Sequence, residues 1–253
     1  YGVDNTTQGA LEIYEMPIKD STGNIYNNRY IMGHDPVDND QAESNSLSST
    51  FVMDLYTDRI VAEYTGRQDF ADENFEICRR LCLFYNGKVN YENNKKGLFA
   101  YFSRMNSVYL MTDTLKFLRD QQQVKAPSYG NAAKGTPASQ GINNYAIDLI
   151  RDWLLKPITV IRNVDGIDQE VSIPNLYHIQ SRALLQELIS FNEVGNFDRV
   201  SSMGMLMLLR QDKVIKFQGN FESAKEAPKD PNYLGNDPFF NNNYDKRWGS
   251  KFS

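Results

Sequence analysis

The 253-residue chain has only two cysteines, Cys78 and Cys82, and only two histidines, His34 and His178. The cysteines lie four residues apart in a helical pattern, and no further Cys or neighbouring His completes a zinc site. They read as small core residues, and thiols left reduced fit a cytoplasmic setting. No apolar run reaches the roughly 18 residues that a membrane-spanning helix requires. Residues 1–11 lack the basic and apolar regions of a secretion signal, and a start on Tyr1 rather than Met fits a processed chain or a piece of a longer one. A basic excess is missing too: 27 Lys and Arg stand against 32 Asp and Glu, a net charge of −5. That balance argues against nucleic-acid affinity built on global basicity. It leaves room for a local basic groove, or for carboxylates whose bound cations meet the phosphates. No nucleotide-binding loop is present either. Gly130 to Thr136, GNAAKGT, imitates one, but Thr136 stands where that motif requires Lys.

Hydrophobic residues make up 41% of the chain, enough for a sizeable core in one large domain or two small ones. Residues 1–28 are polar and read as a lead-in, with an edge strand or hairpin at 11–17. Residues 29–37, RYIMGHDPV, predict the strand around which the rest is organised. Alternation puts Tyr30, Met32 and His34 on one face and Ile31, Gly33 and Asp35 on the other, so Asp35 stands at the strand end. Pro36 offers no donor and stops the pairing. His34 faces away from Asp35 and reads as structural. A sheet fixes such a terminal carboxylate better than a loop would, which suits a catalytic or metal position. Next, 49–56 (STFVMDLY) and 59–64 (RIVAEY) predict two strands in a tight hairpin around Thr57-Asp58, completing an antiparallel meander. Asp54 reads as a solvated or strand-end carboxylate.

Residues 72–86 carry Phe75, Cys78, Leu81, Cys82 and Tyr85 at helical spacing, with Gly87 as C-cap. A strand at 88–94 (KVNYENN) places Lys88, Asn90 and Glu92 on one face, and a helix follows at 95–105. The topology therefore turns from antiparallel to parallel at Glu92. Residues 108–112 predict another short strand. Residues 121–144 are either a mobile functional loop or a hairpin. An amphipathic helix over 145–155 is closed by Pro157. Leu184, Leu185, Leu188 and Ile189 form the stripe of a helix starting at Ser181. A later helix, with Asn196 as N-cap, turns Val200, Met203, Met207 and Leu208 to the core. Asp198 falls in its first turn, where the helix dipole favours an anion. The polar tail 219–253 reads as a tether or as a partner-binding segment anchored by Phe239, Phe240, Tyr244 and Trp248. The expected organisation is a lead-in (1–28), an α/β domain (29–218) whose mixed sheet combines an antiparallel meander with parallel strands between helices, and the tail. If the first and fourth strands are neighbours, Asp35, Glu92 and Asp198 converge. Such carboxylates repel or protonate unless divalent cations neutralise them, and oxygen-only ligands suit Mg2+ or Mn2+.

The segments YIMGHDPVDND, a hairpin ending AEYTGR, KVNYENNKKG and LLQELISFNEVGNFDRVSSMGMLML occur in this order. Together they resemble the nuclease domain of large terminase subunits, the DNA-packaging motors of tailed bacteriophages. The most specific part is E-N-N-x-x-G after a strand combined with the late E-L-x-x-F and N-x-D-R-V pieces. The resemblance implies a ribonuclease-H-like fold with two divalent cations, Mg2+ or Mn2+, on Asp35, Glu92 and Asp198. Asp35 would bridge both ions, with Glu92 on one and Asp198 on the other. It implies endonucleolytic hydrolysis of concatemeric double-stranded viral DNA with little sequence preference, leaving 5′-phosphate and 3′-hydroxyl ends. Family members often carry tandem acids at the third site, whereas Phe197 precedes Asp198 here, so Asp148 and Asp152 stand as alternatives. Candidate phosphate contacts are Lys95, Lys96, Arg104, Lys125 and Lys134. Asn93 and Asn94 either orient the acids or cap the next helix. Implied partners are the portal and the small terminase subunit, through the parent protein, and the implied location is the host cytoplasm during virion assembly. The motor's ATPase part has no counterpart in this chain, so an isolated nuclease domain is expected. Rival readings are a junction resolvase or exonuclease of the same fold, and a non-catalytic docking module.

Overall fold

The apolar run that ends on Asp35 becomes the inner strand on which both halves of the sheet meet. The computed structural model describes residues 9–38, 46–120, 133–164, 166–192 and 195–226. Its main sheet contains β1 (Ala10–Ile13), β2 (Tyr30–Asp35), β3 (Ser48–Asp54), β4 (Arg59–Gly66) and β5 (Lys88–Tyr91), in the order β1-β4-β3-β2-β5. Every neighbouring pair is antiparallel except β2 and β5, which run parallel. The molecule is thus mixed α/β, and the strands bearing Asp35 and Glu92 are adjacent as expected. The edge strand of the lead-in is also present, as β1 on β4.

Alternation along β2 divides the core in two. Tyr30 and Met32 pack with Phe75, Cys78, Leu81 and Cys82 of α1 (Ala71–Phe84) and with Leu98 and Phe102 of α2 (Gly97–Arg104). Both cysteines are buried and unpaired, the core role expected of them. On the other face Ile31, Phe51 and Met53 meet α3 (Lys116–Asp120), α4 (Gln140–Leu155), α5 (Arg182–Ser190) and the first turns of α6 (Asp198–Glu226). Covered on both sides, β2 and β3 are buried along their whole length, their polar residues His34, Asp35, Ser48, Ser49, Thr50 and Asp54 included. The chain divides into two units, Tyr1–Lys213 and Val214–Ser253. The sheet and all residues discussed below lie in the first. The described part of the second is the continuation of α6 to Glu226.

Gly33 and α6 make the tightest contact in this arrangement. A Cβ on Gly33 would lie 2.3 Å from both Ser202 O and Leu206 N, so the helix backbone rests directly on the strand. Ser202 Oγ donates to Gly33 O at 3.0 Å, and Asn90 Nδ2 on β5 donates to Met205 O at 2.9 Å. Two polar anchors therefore join α6 to the two strands that carry acids.

Several local expectations are corrected. The β3–β4 turn spans four residues, 55–58, rather than two, with Asp58 in the left-handed region at φ 58° and a register shift at Val52/Met53. Of the two readings of Asp54 the strand-end one holds, since it closes β3; it is buried rather than solvated, because Arg29 binds its Oδ2 through Nε at 2.9 Å and Nη2 at 2.6 Å. The left-handed residue ending α1 is Asn86 (φ 50°), not Gly87; Gly87 is needed because a Cβ there would lie 2.8 Å from Tyr30 O. The segment 108–112 is a 3-10 turn, Val108–Leu110, with a single bridge from Met111 to Val89. Helix α4 starts at Gln140 instead of 145, since Ser139 Oγ caps Ile142 N. Helix α6 starts at Asp198, and Asn196 is not its N-cap. The hairpin β6 (Pro157–Val164) and β7 (Ile167–Pro174) has no forerunner in the sequence reading. Residues 219–226, assigned to the tail, are helical; its aromatic anchors and residues 121–132 lie outside the described residues. Residues 134–136 run beside β5, with Thr136 N donating to Tyr91 O at 2.9 Å. The imitation phosphate loop thus ends as an edge strap, and Gly135 takes φ 68° to pass over Tyr91.

Because no side chain can share the space between β2 and α6, Gly33→Ala is expected to cost about 3 kcal/mol of stability. Urea unfolding of both proteins checks this, and a loss below about 0.5 kcal/mol, the usual range for a surface change, contradicts it.

Candidate active site

Asp35 is the last residue of β2 and is 5% exposed. Glu92 follows β5 directly, where its N–H reaches His34 O at 3.4 Å and it bridges Thr136. Parallel pairing of Gly33 with Asn90 sets the register, so both acids leave adjacent strands at the same end. Asn90 already bonds α6, and Glu92, two residues on, shares its face. Asp198 opens α6 and is 8% exposed; its Oδ2 accepts from Leu47 N at 2.8 Å and from Asn196 Nδ2 at 3.4 Å. The cation between them is Lys95. Its Nζ lies 2.8 Å from Asp35 Oδ1 and 3.8 Å from Glu92 Oε2.

Electrostatics shows how tightly these groups are coupled. Burial pushes the Glu92 carboxyl up against the pull of Lys95, and the charges of Asp35 and Asp38 add to the rise. Burial and the neighbouring Asp35 and Glu187 push Asp198 up to about 6, although the Leu47 N–H opposes them. Burial works against the Lys95 ammonium, yet Asp35, Glu92 and Asp198 together hold its pKa above the usual lysine value. Among the described residues no three His, Cys, Asp or Glu side chains stand in ligating positions. The oxygen donors nevertheless fit a hard divalent cation: burial and neighbouring carboxylates hold two of the three carboxyls in their neutral direction, and a monovalent cation already sits on the third.

Three features around the acids were missed in the sequence. Asp38, three residues after Asp35, accepts the Gly97 N–H at 3.0 Å and so caps α2 from the neighbouring loop. Gly97 admits it because a Cβ there would lie 2.8 Å from Asp38 Oδ1. Arg199, next to Asp198, binds Glu63 Oε1 at 2.7 Å and Glu187 Oε1 at 2.9 Å, tying α6 to β4 and α5. A groove of about 810 Å3 includes Glu92 and is rich in amides, namely Gln140, Asn143, Asn144, Asn192 and Asn196. Only the N-x-D-R-V spacing hinted at Arg199, and nothing local signals the groove, whose amides come from segments far apart in sequence.

The remaining predicted site residues are placed as follows. Lys96 is exposed at the N-cap of α2. Arg104 pairs with Asp72 of α1 at 2.5 Å and lies over the Tyr101 ring, within the helical layer on the far face of the sheet. Lys134 Nζ binds Asp113 at 2.6 Å. Lys125 lies outside the described residues. Asp148 and Asp152 are exposed beside Arg151, and Asp148 lines the groove with Glu92. Asn93 Nδ2 donates to Lys134 O at 2.8 Å and Asn94 Nδ2 to Ala138 O at 3.0 Å, so their amides fasten the strap rather than cap α2.

The Asp198 shift has a definite sign. The folded carboxyl binds its proton more tightly than an ordinary one, so its contribution to stability is complete below about pH 4 and is lost as pH rises through about 6. In EDTA, Asp198→Asn is expected to raise stability at pH 7 by about 2 kcal/mol and to match wild type near pH 4. Denaturant titrations at the two pH values test this; a variant less stable than wild type at pH 7 contradicts it.

No protein-family model matches the chain, and no curated protein sequence does. Among solved structures it is similar to the large terminase nuclease from thermophilic phage G20c, at 14% identity and a TM-score of 0.27, over 70% of this chain and 80% of that one. At that score the likeness carries no weight for fold or function.

Proposed function

We propose that this chain is a metal-dependent DNA endonuclease of ribonuclease-H-like fold, the nuclease part of a viral DNA-packaging motor. The observation that carries the reading is the gathering of Asp35, Glu92 and Asp198 from two adjacent strand ends and a helix start around one ammonium group. The meander followed by a parallel strand supports the fold assignment, and the ordered motifs that resemble those of large terminase nucleases support the family reading. Asp35, Glu92 and Asp198 would hold the cations, Mg2+ or Mn2+. Bound there, the ions would supply Lewis-acid charge to the scissile phosphate and to the attacking water. The protein groups hold that arrangement from rigid elements, and no separate general base is required.

Charge on this acidic chain must be local to position double-stranded DNA. Lys95 and Lys96 stand beside the acids at the start of α2, and Lys134 lies on the strap next to Asn93. Lys125 stays a candidate from sequence alone. Arg104, held in the α1–α2 layer, is left out of the proposed DNA surface. Phosphate contacts of this kind carry no sequence information, so cleavage is expected to be largely non-specific. In the parent protein the portal and the small terminase subunit would deliver the DNA in the host cytoplasm.

Supercoiled plasmid incubated with the chain should be nicked and linearised in Mn2+ or Mg2+ and stay intact in EDTA. Asp35→Ala and Glu92→Ala should each reduce cleavage by about 1000-fold or more, as when one member of a catalytic unit is lost. Cleavage that persists in EDTA, or in both variants, contradicts the proposal. Linear and four-way-junction substrates compared side by side separate the readings, since cleavage confined to the junction would identify a resolvase.

A further inference from the structure

We propose that Lys95 is an exchangeable counter-cation: its ammonium fills the cation position while no metal is bound, must leave it when a metal enters, and is then free to hold a phosphate of the substrate. The inference rests on the metal-centre reading above and concerns what controls access to that centre. Its geometric basis is the contact of Nζ with Asp35 Oδ1 at 2.8 Å, with Glu92 Oε2 on its other side at 3.8 Å. One monovalent charge thus stands between the carboxyls assigned to two divalent ions.

Location makes a merely solvated lysine a poor explanation. Lys95 directly precedes the N-cap of α2, the helix end that disfavours a positive charge. That end is satisfied by Asp38, which accepts the Gly97 N–H, so Lys95 plays no part in capping. The acids therefore hold the ammonium in place, and it in turn relieves their repulsion.

Exposure and chemistry distinguish this pair from the other ion pair of the site. The Lys95 side chain is 36% exposed while that of Asp35 is 7% exposed, so the cation has a route out and the anion does not. Arg199 differs: its planar guanidinium is fixed between Glu63 and Glu187 and is 20% exposed. A lysine carries a compact charge on a flexible four-carbon stem, suited to release, whereas the arginine fork suits a permanent clasp. Once displaced, the Lys95 stem keeps the ammonium beside the site. There it acts as a positioning residue for the phosphate rather than as a catalytic one.

Calorimetric titration of the whole chain with MnCl2, paired with thermal unfolding in EDTA and in saturating Mn2+, tests the exchange. Lys95→Met is expected to melt below wild type in EDTA, to bind Mn2+ about tenfold more tightly because nothing must be displaced, and to recover the wild-type Tm once loaded. Lys95→Arg, which grips Asp35 with a fork, is expected to bind Mn2+ more weakly than wild type. Asp35→Asn should bind none at this site. Equal or weaker Mn2+ binding by Lys95→Met, or a Tm deficit that persists in saturating Mn2+, makes Lys95 a plain structural strut and overturns the inference while leaving the metal centre intact. Absence of Mn2+ binding in wild type and Lys95→Met alike overturns both.

Discussion

The contact between Gly33 and the backbone of α6 fixes almost everything that matters in this molecule. A strand and a helix meet there without an intervening side chain, and Ser202 and Asn90 lock the helix to β2 and β5. Those two strands end in Asp35 and lead into Glu92, and the same helix begins at Asp198. One packing contact in the core thus sets the relative positions of three acids distant in sequence. Because the contact is backbone on backbone, it leaves little freedom for the site to relax.

Such placement has an electrostatic cost. Asp35 and Asp198 are nearly inaccessible to water, and the guanidinium of Arg199, next to Asp198 in the chain, is already shared by Glu63 and Glu187. Positive charge for the site comes from Lys95, on the short segment between β5 and α2, and Asp38 holds the start of that helix against the loop after β2. The fold accepts local repulsion at one end of the sheet while packing apolar side chains on both faces elsewhere.

Much of this was legible in the sequence where a signal is local. The alternation in YIMGHD, the stop at Pro36 and the placement of Asn90 and Glu92 on one face follow from strand geometry; β2 ends at Asp35, and Glu92 extends the line of β5 just past its last residue. The stripes around Phe75, Leu184 and Met203 likewise have their helices, although Ile189, counted in the second stripe, is exposed. What was not legible depends on partners brought from afar. The burial of Asp54 at its strand end was not legible because its partner, Arg29, lies 25 residues away in the chain. Val108 to Thr112 has strand-like residues but turns into a 3-10 segment that offers β5 one bridge. The β6–β7 hairpin escaped notice because β7 is exposed almost throughout and lacks the apolar alternation by which strands are recognised. At the candidate site, the three acids were proposed from chain order and motif, and the fold brings them to one end of the sheet. The salt link from Lys95 to Asp35 spans 60 residues and only the folded chain reveals it.

The most direct test of the account is the anomalous diffraction of crystals of the metal-free protein soaked in Mn2+. The account predicts two manganese peaks bounded by Asp35, Glu92 and Asp198, with the Lys95 side chain moved out of its contact with Asp35. Peaks confined to other carboxylates, with Lys95 still on Asp35 at high Mn2+, would contradict it.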